Sequence, residues 1–290
     1  YCPEMLIVIP AAGVPDRGEI RALTTNSETV AVCLHTGPSL EGVTTDLGVL
    51  GDDLREYDLV VVPDLQTFEQ YEDLGTFRLS LIEPAVHPPA LMDFVSSQRR
   101  GVVVVGDADP GNIDVVMSID HLDDVVVMGE GWTDLPVKAE VVDYLPLPER
   151  ASLFAGAHIT IELPVSLAHQ SEVQKSVFEL GLSAAVYESA VVGTPSLVQA
   201  RAAVEHVLVP GAEIITFQST EDLGKLIPLL LVDHEETTKV GEAAWSRITA
   251  DHTWAQRWRS FLAPWVYDSV TDRDEEESYL GKVELLSEAG

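Results

Sequence analysis

The sequence predicts an α/β protein built from two doubly wound, Rossmann-like units, the first shorter than the second. Three observations lead there. Short, near-continuous apolar runs recur along the chain, each closed by Gly, Pro or Asp. Helix-forming stretches separate them, which is the pattern of parallel strands covered on both faces. A Pro pair followed by a basic doublet, "HPPALMDFVSSQRR" (87–100), interrupts this rhythm, after which it restarts.

In the first half, "MLIVIP" (5–10) reads as a buried strand, and "AAGVPDRG" after it as a turn into a helix. "TVAVCLH" (29–35) and "YDLVVVPD" (57–64) repeat the pattern, and "FEQYEDLG" (68–75) reads as a helix stopped by Gly75. "FRLSLIEPAV" (77–86) predicts one more strand before the Pro-rich crossover.

In the second half, "GVVVVGD" (101–107), "DDVVVMGEG" (123–131), "AEVVDYL" (139–145) and "HITIEL" (158–163) predict strands. "PGNIDVVMSI" and "PLPERASLFAGA" predict helices, the latter with Pro in its first turn. The stretch "AAVYESAVVGTPSLV" (184–198) reads as a small-residue helix carrying one acid, Glu188, and running through Gly-Thr-Pro into a strand. A helix over "AAVEHVL" and a strand over "AEIITFQ" (212–218) follow. "STEDLGKLIPLLLVD" (219–233) opens with a Ser/Thr cap and two acids in its first turn, where the helix dipole favours them. One or two long amphipathic helices close the fold, ahead of the acidic stretch "TDRDEEES".

The bulk numbers narrow the function. The 290 residues suffice for one large domain or two ordinary ones, and 46% are hydrophobic. No run approaches the roughly 18–20 apolar residues of a membrane span, and no leader pattern opens the sequence. The two cysteines, Cys2 and Cys33, lack metal spacing, so a reducing, cytoplasmic setting is expected. Asp and Glu number 48 against 17 Lys and Arg, a net charge of −31. Such a surface repels nucleic-acid phosphates and anionic lipid, which disfavours both as partners. Few Lys among many Asp, Glu, Val and Thr also resembles salt-adapted archaeal composition.

Three stretches carry a family resemblance: "FELGLSAAVYESAVVGTPSLV" (178–198), "AVEHVLVPGAEIITFQSTEDLGKLIPLLLVD" (203–233) and "RITADHTWAQR" (247–257). Together they resemble the donor-sugar signature of GT-B-fold glycosyltransferases. The "YDLVVV" strand and Pro-rich crossover look most like the spore-maturation type within that group. The resemblance implies an abbreviated acceptor-side domain over 1–92, a donor-binding domain over 100–264, and a tail over 265–290 that crosses back to the first. It implies transfer of a hexose from a UDP- or GDP-sugar to a hydroxyl acceptor on a carbohydrate, lipid-linked or protein partner. No bound cofactor and no metal are implied, because no Asp-x-Asp of the other major glycosyltransferase fold lies at a strand end; "DAD" (107–109) sits in a Gly-rich turn.

By the same resemblance, Glu188 accepts hydrogen bonds from the donor's ribose hydroxyls, a charge-assisted contact. Glu179 corresponds to the family's sugar-contacting acid, but eight residues separate it from Glu188 where the family has seven. One extra helical residue rotates the side chain by about 100°. Relatives commonly carry Arg or Lys three residues before the ribose glutamate, where this chain has Ala185. That leaves Lys175, Arg201 and backbone N–H groups at helix starts, including those of Gly106, Gly111 and Asn112, to neutralise the diphosphate. On the acceptor side, Asp16 and Glu19 follow the first strand and could take the acceptor's proton. The weakened cation set and short first domain motivate a rival, a non-catalytic GT-B-derived binding or scaffold protein. A viral DNA-base glucosyltransferase is a third reading, which the charge opposes.

Overall fold

The computed structural model describes residues 5–9, 17–24, 29–34, 54–62, 78–91, 99–163 and 181–268, and positions 68, 71, 72 and 94. They form an α/β fold around two parallel sheets.

The first sheet runs β1 (Met5–Val8), β2 (Val30–Leu34), β3 (Leu59–Val62) and β4 (Leu79–Leu81) in chain order, all parallel. Helix α1 (Arg17–Thr24) packs Ile20 into a core with Cys33, Val60 and Tyr71. Burial alone pushes the Cys33 thiol up to about 12, so it behaves as an inert hydrophobe. The strand expected over 77–86 is shorter, at Leu79–Leu81. Ile82 N–H still bonds Val62 O at 2.8 Å, but the next donor in that alternation would come from position 84, a proline without N–H.

The second sheet contains β5 (Val102–Val105), β6 (Val125–Met128), β7 (Glu140–Val142), β8 (Ile159–Glu162), β9 (Ser196–Gln199) and β10 (Ile215–Phe217). Its spatial order is β10-β9-β8-β5-β6-β7, all parallel. Helices α2 (Pro110–Ile119), α3 (Leu147–Gly156), α4 (Ala184–Val191), α5 (Ala202–Val207) and α6 (Thr220–Val232) connect and flank these strands. One core lies under α2 and α6 with Trp132. The other lies under α3, α4 and α7 (His234–Asp251) with Phe154, Tyr187 and Ile248. The predicted cap of α6 is present, since Ser219 Oγ accepts from Asp222 N–H. From β5 the chain winds outward through β6 and β7, then returns to β8 on the other side and winds the opposite way. That reversal is a topological switch point, where open α/β sheets place a crevice at the carboxyl ends of their strands.

Two chain passages join the sheets. The isolated bridge Val86–Thr253 ties them together, with Val86 N–H donating to His252 O (3.2 Å) and Trp254 N–H to Val86 O (3.0 Å). Helix α8 (Trp254–Asp268) then sets Trp258 and Phe261 against Val32, Leu59 and Val61 of the first sheet.

Candidate functional site

A cavity of about 200 Å³ opens at the switch point, between Val105, Met128 and Leu163 at the strand tips and the start of α4. Glu188 reaches it from α4. That helix is buried from Ala185 to Val191, and its small residues let it lie close to the sheet and to α7. Gly193, at φ +73°, ends it in the left-handed conformation that a side chain resists. Arg99 donates to Val192 O (2.8 Å) and Gly193 O, occupying the last carbonyls.

Burial of the only acid on this helix demands a partner, since an isolated charge is costly away from water. Glu188 is 8% exposed, and Arg150 supplies the partner in a side-on fork. Arg150 Nε donates to Oε2 at 2.6 Å and Nη2 to Oε1 at 2.7 Å. Its Nη1 donates to Leu145 O at 2.9 Å, so all three guanidinium nitrogens are engaged. The hydrogen bonds to Glu188, opposed by burial, hold the guanidinium above its ordinary pKa. Arg150 also lines the cavity.

The opposite wall is braced by Asp107, whose Oδ1 accepts from Glu130 N–H (2.9 Å) and Tyr144 OH (3.0 Å). Burial first, then the Asp107 charge and hydrogen bond, raise the Tyr144 phenol. Tyr144 is 48% exposed and lines the cavity. Trp132 Nε1 donates to Gly106 O at 2.7 Å, and Asn112 Nδ2 to Asp107 O at 2.9 Å. A Cβ at Gly106 would lie 2.7 Å from Leu163 Cβ, so only glycine fits between the tips of β5 and β8. Beneath α4, Glu162 takes Ser183 N–H at 2.9 Å and Arg201 Nη2 at 2.7 and 2.9 Å.

Of the sequence-predicted residues, Glu188 and Gly106 line the cavity together. Gly111 and Asn112 sit at the start of α2, outside the lining, with Asn112 bracing the loop. Arg201, expected as a diphosphate cation, is paired with Glu162 outside the cavity lining, its side chain 4% exposed. Glu19 lies on α1 with its side chain outside the described residues, as do Asp16, Lys175 and Glu179 altogether. Sequence reasoning missed Arg150, Tyr144, Asp107 and Glu162. The only available signal was an arginine near the Pro-marked start of a helix. No group of three or more His, Cys, Asp or Glu among the described residues could hold a metal ion. No helix among them is long and apolar enough to cross a membrane.

A larger groove, about 630 Å³, lies at the opposite ends of the same strands, by Val102, Val125, Asp124 and Lys138. Ligands of open α/β sheets bind at carboxyl ends, and this groove has no buried charge pair like Arg150–Glu188, so the smaller cavity is the candidate.

The model of the glycosyl transferase-like family matches residues 114–263, a span that includes α3 and α4 with Arg150 and Glu188 and begins after Val105, Gly106 and Asp107 of the cavity wall. No curated protein matches the chain. Among solved structures, sucrose-phosphate synthase from Thermosynechococcus elongatus is similar at 13% identity over 92% of this chain and 74% of that one, with a TM-score of 0.61. Anabaena Alr3699/HepE, in complex with UDP and glucose, is similar at 10% identity over 91% and 78%, TM-score 0.63. The N-terminal domain of Candida albicans trehalose-6-phosphate phosphatase is similar at 10% over 91% and 70%, TM-score 0.64. These neighbours share the two-sheet GT-B architecture; at such identities the likeness carries the fold and nothing finer.

Proposed function

The chain belongs to the glycosyl transferase-like family, and from that premise we propose that its switch-point cavity binds a nucleotide-diphosphate sugar and that a hexose passes from it to a hydroxyl acceptor. One observation carries the reading: a buried carboxylate, Glu188, lining a cavity at the strand tips where this fold class takes its ligands. An ionised carboxylate accepts from both hydroxyls of a ribose, and charge-assisted bonds of this kind are the strong ones. The Tyr144 ring offers a flat, half-exposed surface beside it. UDP in the complex of Alr3699/HepE supports a uridine nucleotide as the first probe.

In the reaction, an acceptor oxygen bonds the anomeric carbon while the bond from that carbon to the diphosphate breaks, the diphosphate leaving with the electron pair. The acceptor's proton goes to a base, for which Asp16 and Glu19 after the first strand are the proposed groups. Positioning and exclusion of water account for the protein's part in this step. The acceptor is proposed as a carbohydrate, lipid-linked or protein hydroxyl, and the "YDLVVV" strand with its Pro-rich crossover supports the spore-maturation type within the family.

Titration calorimetry with UDP tests the reading. Glu188→Gln keeps the volume and removes the charge, and is expected to weaken UDP at least about tenfold, one charged hydrogen bond's worth. Unchanged affinity in that variant would end the proposal. A second reading, binding without turnover, is favoured by the fact that the one cation lining the cavity among the described residues, Arg150, is engaged by Glu188. Incubation with UDP-glucose separates the two: release of UDP supports transfer, and tight binding without release supports the second.

A further inference from the structure

The fork between Arg150 and Glu188 has a consequence for how a donor enters. A carboxylate offers about four acceptor positions, two on each oxygen. The side-on guanidinium, at 2.6 and 2.7 Å, takes the inward-facing position on each oxygen. Those are the same two positions that neighbouring hydroxyls of a vicinal diol need for a two-point contact. The remaining positions lie on opposite outer flanks of the group, too divergent for adjacent hydroxyls to reach both. Diol and guanidinium therefore compete for Glu188.

Resting on the ribose role of Glu188, we infer that Arg150 is a positioning residue that changes partners during donor binding. It holds the carboxylate until the ribose hydroxyls take it, and then turns its guanidinium onto the diphosphate. Three features carry this. Arg150, Gly106 and Ala184 line the same small cavity, so an anion held there shares it with the guanidinium. The Nη1 bond to Leu145 O gives the guanidinium one fixed point about which its other two nitrogens can swing off the carboxylate. Arg201 is outside the lining and committed to Glu162, so the diphosphate finds its charge partner in Arg150 among the described residues. A nucleoside without phosphates would displace Arg150 and leave a partly buried cation unpaired, whereas a nucleoside diphosphate supplies the replacement anion. The device makes the site discriminate against ligands that lack the diphosphate.

The test compares uridine with UDP by calorimetry in the wild type, Arg150→Gln and Arg150→Lys, with melting curves to establish folding. In Arg150→Gln, uridine is expected to bind about tenfold more tightly and UDP about tenfold more weakly, each the size of one charge-assisted hydrogen bond. The ratio of UDP to uridine affinity then falls about a hundredfold. In Arg150→Lys, which keeps the charge but not the fork, uridine tightens while UDP is largely retained. If both variants weaken both ligands by one common factor, Arg150 merely supports Glu188; the partner exchange is then overturned while the site stands. If the wild type binds neither ligand, or if Glu188→Gln leaves uridine binding unchanged, the site itself fails and the exchange with it. Should Arg150→Gln melt below the assay temperature, the Lys variant decides by the same criteria.

Discussion

Glu162 and Glu188 are both buried carboxylates facing an arginine, yet their surroundings assign them different work. The side chains of Glu162 and Arg201 are 5% and 4% exposed, away from the cavity lining. The pair joins the end of β8, the Ser183 N–H at the start of α4, and the residue that precedes α5. Removing one member leaves an uncompensated buried charge, a loss of about 3–5 kcal/mol. Arg201→Met is therefore expected to lower unfolding stability by that order in a urea titration, and adding Glu162→Gln to recover part of it. A single variant that costs under about 1 kcal/mol would show that the pair is not holding these ends together. Glu188 was legible in the sequence because local pattern surrounds it: small helical residues, a Gly-Thr-Pro stop, a strand. Arg150 and Glu162 were not legible, because each gains its meaning from a partner 38 or 39 residues away that no local pattern encodes.

At the scale of elements, α4 is located by two contacts at its end. A Cβ on Gly241 of α7 would lie 2.4 Å from Gly193 O and 3.3 Å from Pro195 Cδ. Gly193 O is also held by Arg99, so the turn cannot retreat without losing that bond. Gly241→Ala gains up to about 1 kcal/mol of helix propensity in an unconstrained helix. Here the overlap, typically about 1–3 kcal/mol, is expected to outweigh it and give a net loss in melting temperature. Because α4 carries Glu188, UDP affinity should fall as well; a rise in melting temperature would show that the two helices have room. Most strands and helices of the second sheet were legible, because Val-rich runs between Gly and Asp and a Ser-Thr-Glu-Asp start each point to one structure. The close Gly241–Gly193 approach was not. A glycine inside an amphipathic helix has the same local signature whether it faces water or a neighbouring backbone.

For the whole molecule, the seam between the sheets concentrates the least comfortable polar groups. Tyr187 OH, His252 Nε2 and Arg257 Nε are buried there, none of them in a well-formed hydrogen bond. Arg257 Nη2 lies 2.8 Å from His252 Nδ1 and 3.3 Å from Glu83 Oε2, and the Tyr187 ring packs edge-on against the imidazole. Burial first, then the charges of Arg257 and Arg247, push the His252 pKa down to about 4, with Asp251 and the nearby Val207 backbone opposing. In the unfolded chain that imidazole titrates near 6.5. Between those values the unfolded state binds the extra proton, so stability contributed by neutral His252 is present above 6.5 and is lost as pH falls toward 4. Protonation of the many surface acids acts in the same window by relieving the repulsion of a −31 charge, and it acts equally on any single-site variant. His158, whose pKa is also lowered by burial and by His234 and Arg99, remains in both proteins. The difference between wild type and His252→Gln therefore isolates the seam. Melting temperatures taken from pH 7.5 down to 4.5 should fall more steeply for the wild type, so that the gap between the two narrows or reverses in acid. Parallel curves would mean that the imidazole does not gate the junction. Since Val86 and Thr253 tie both chain passages at this point, a steeper wild-type loss would also mean that acid loosens the two sheets together rather than one domain alone.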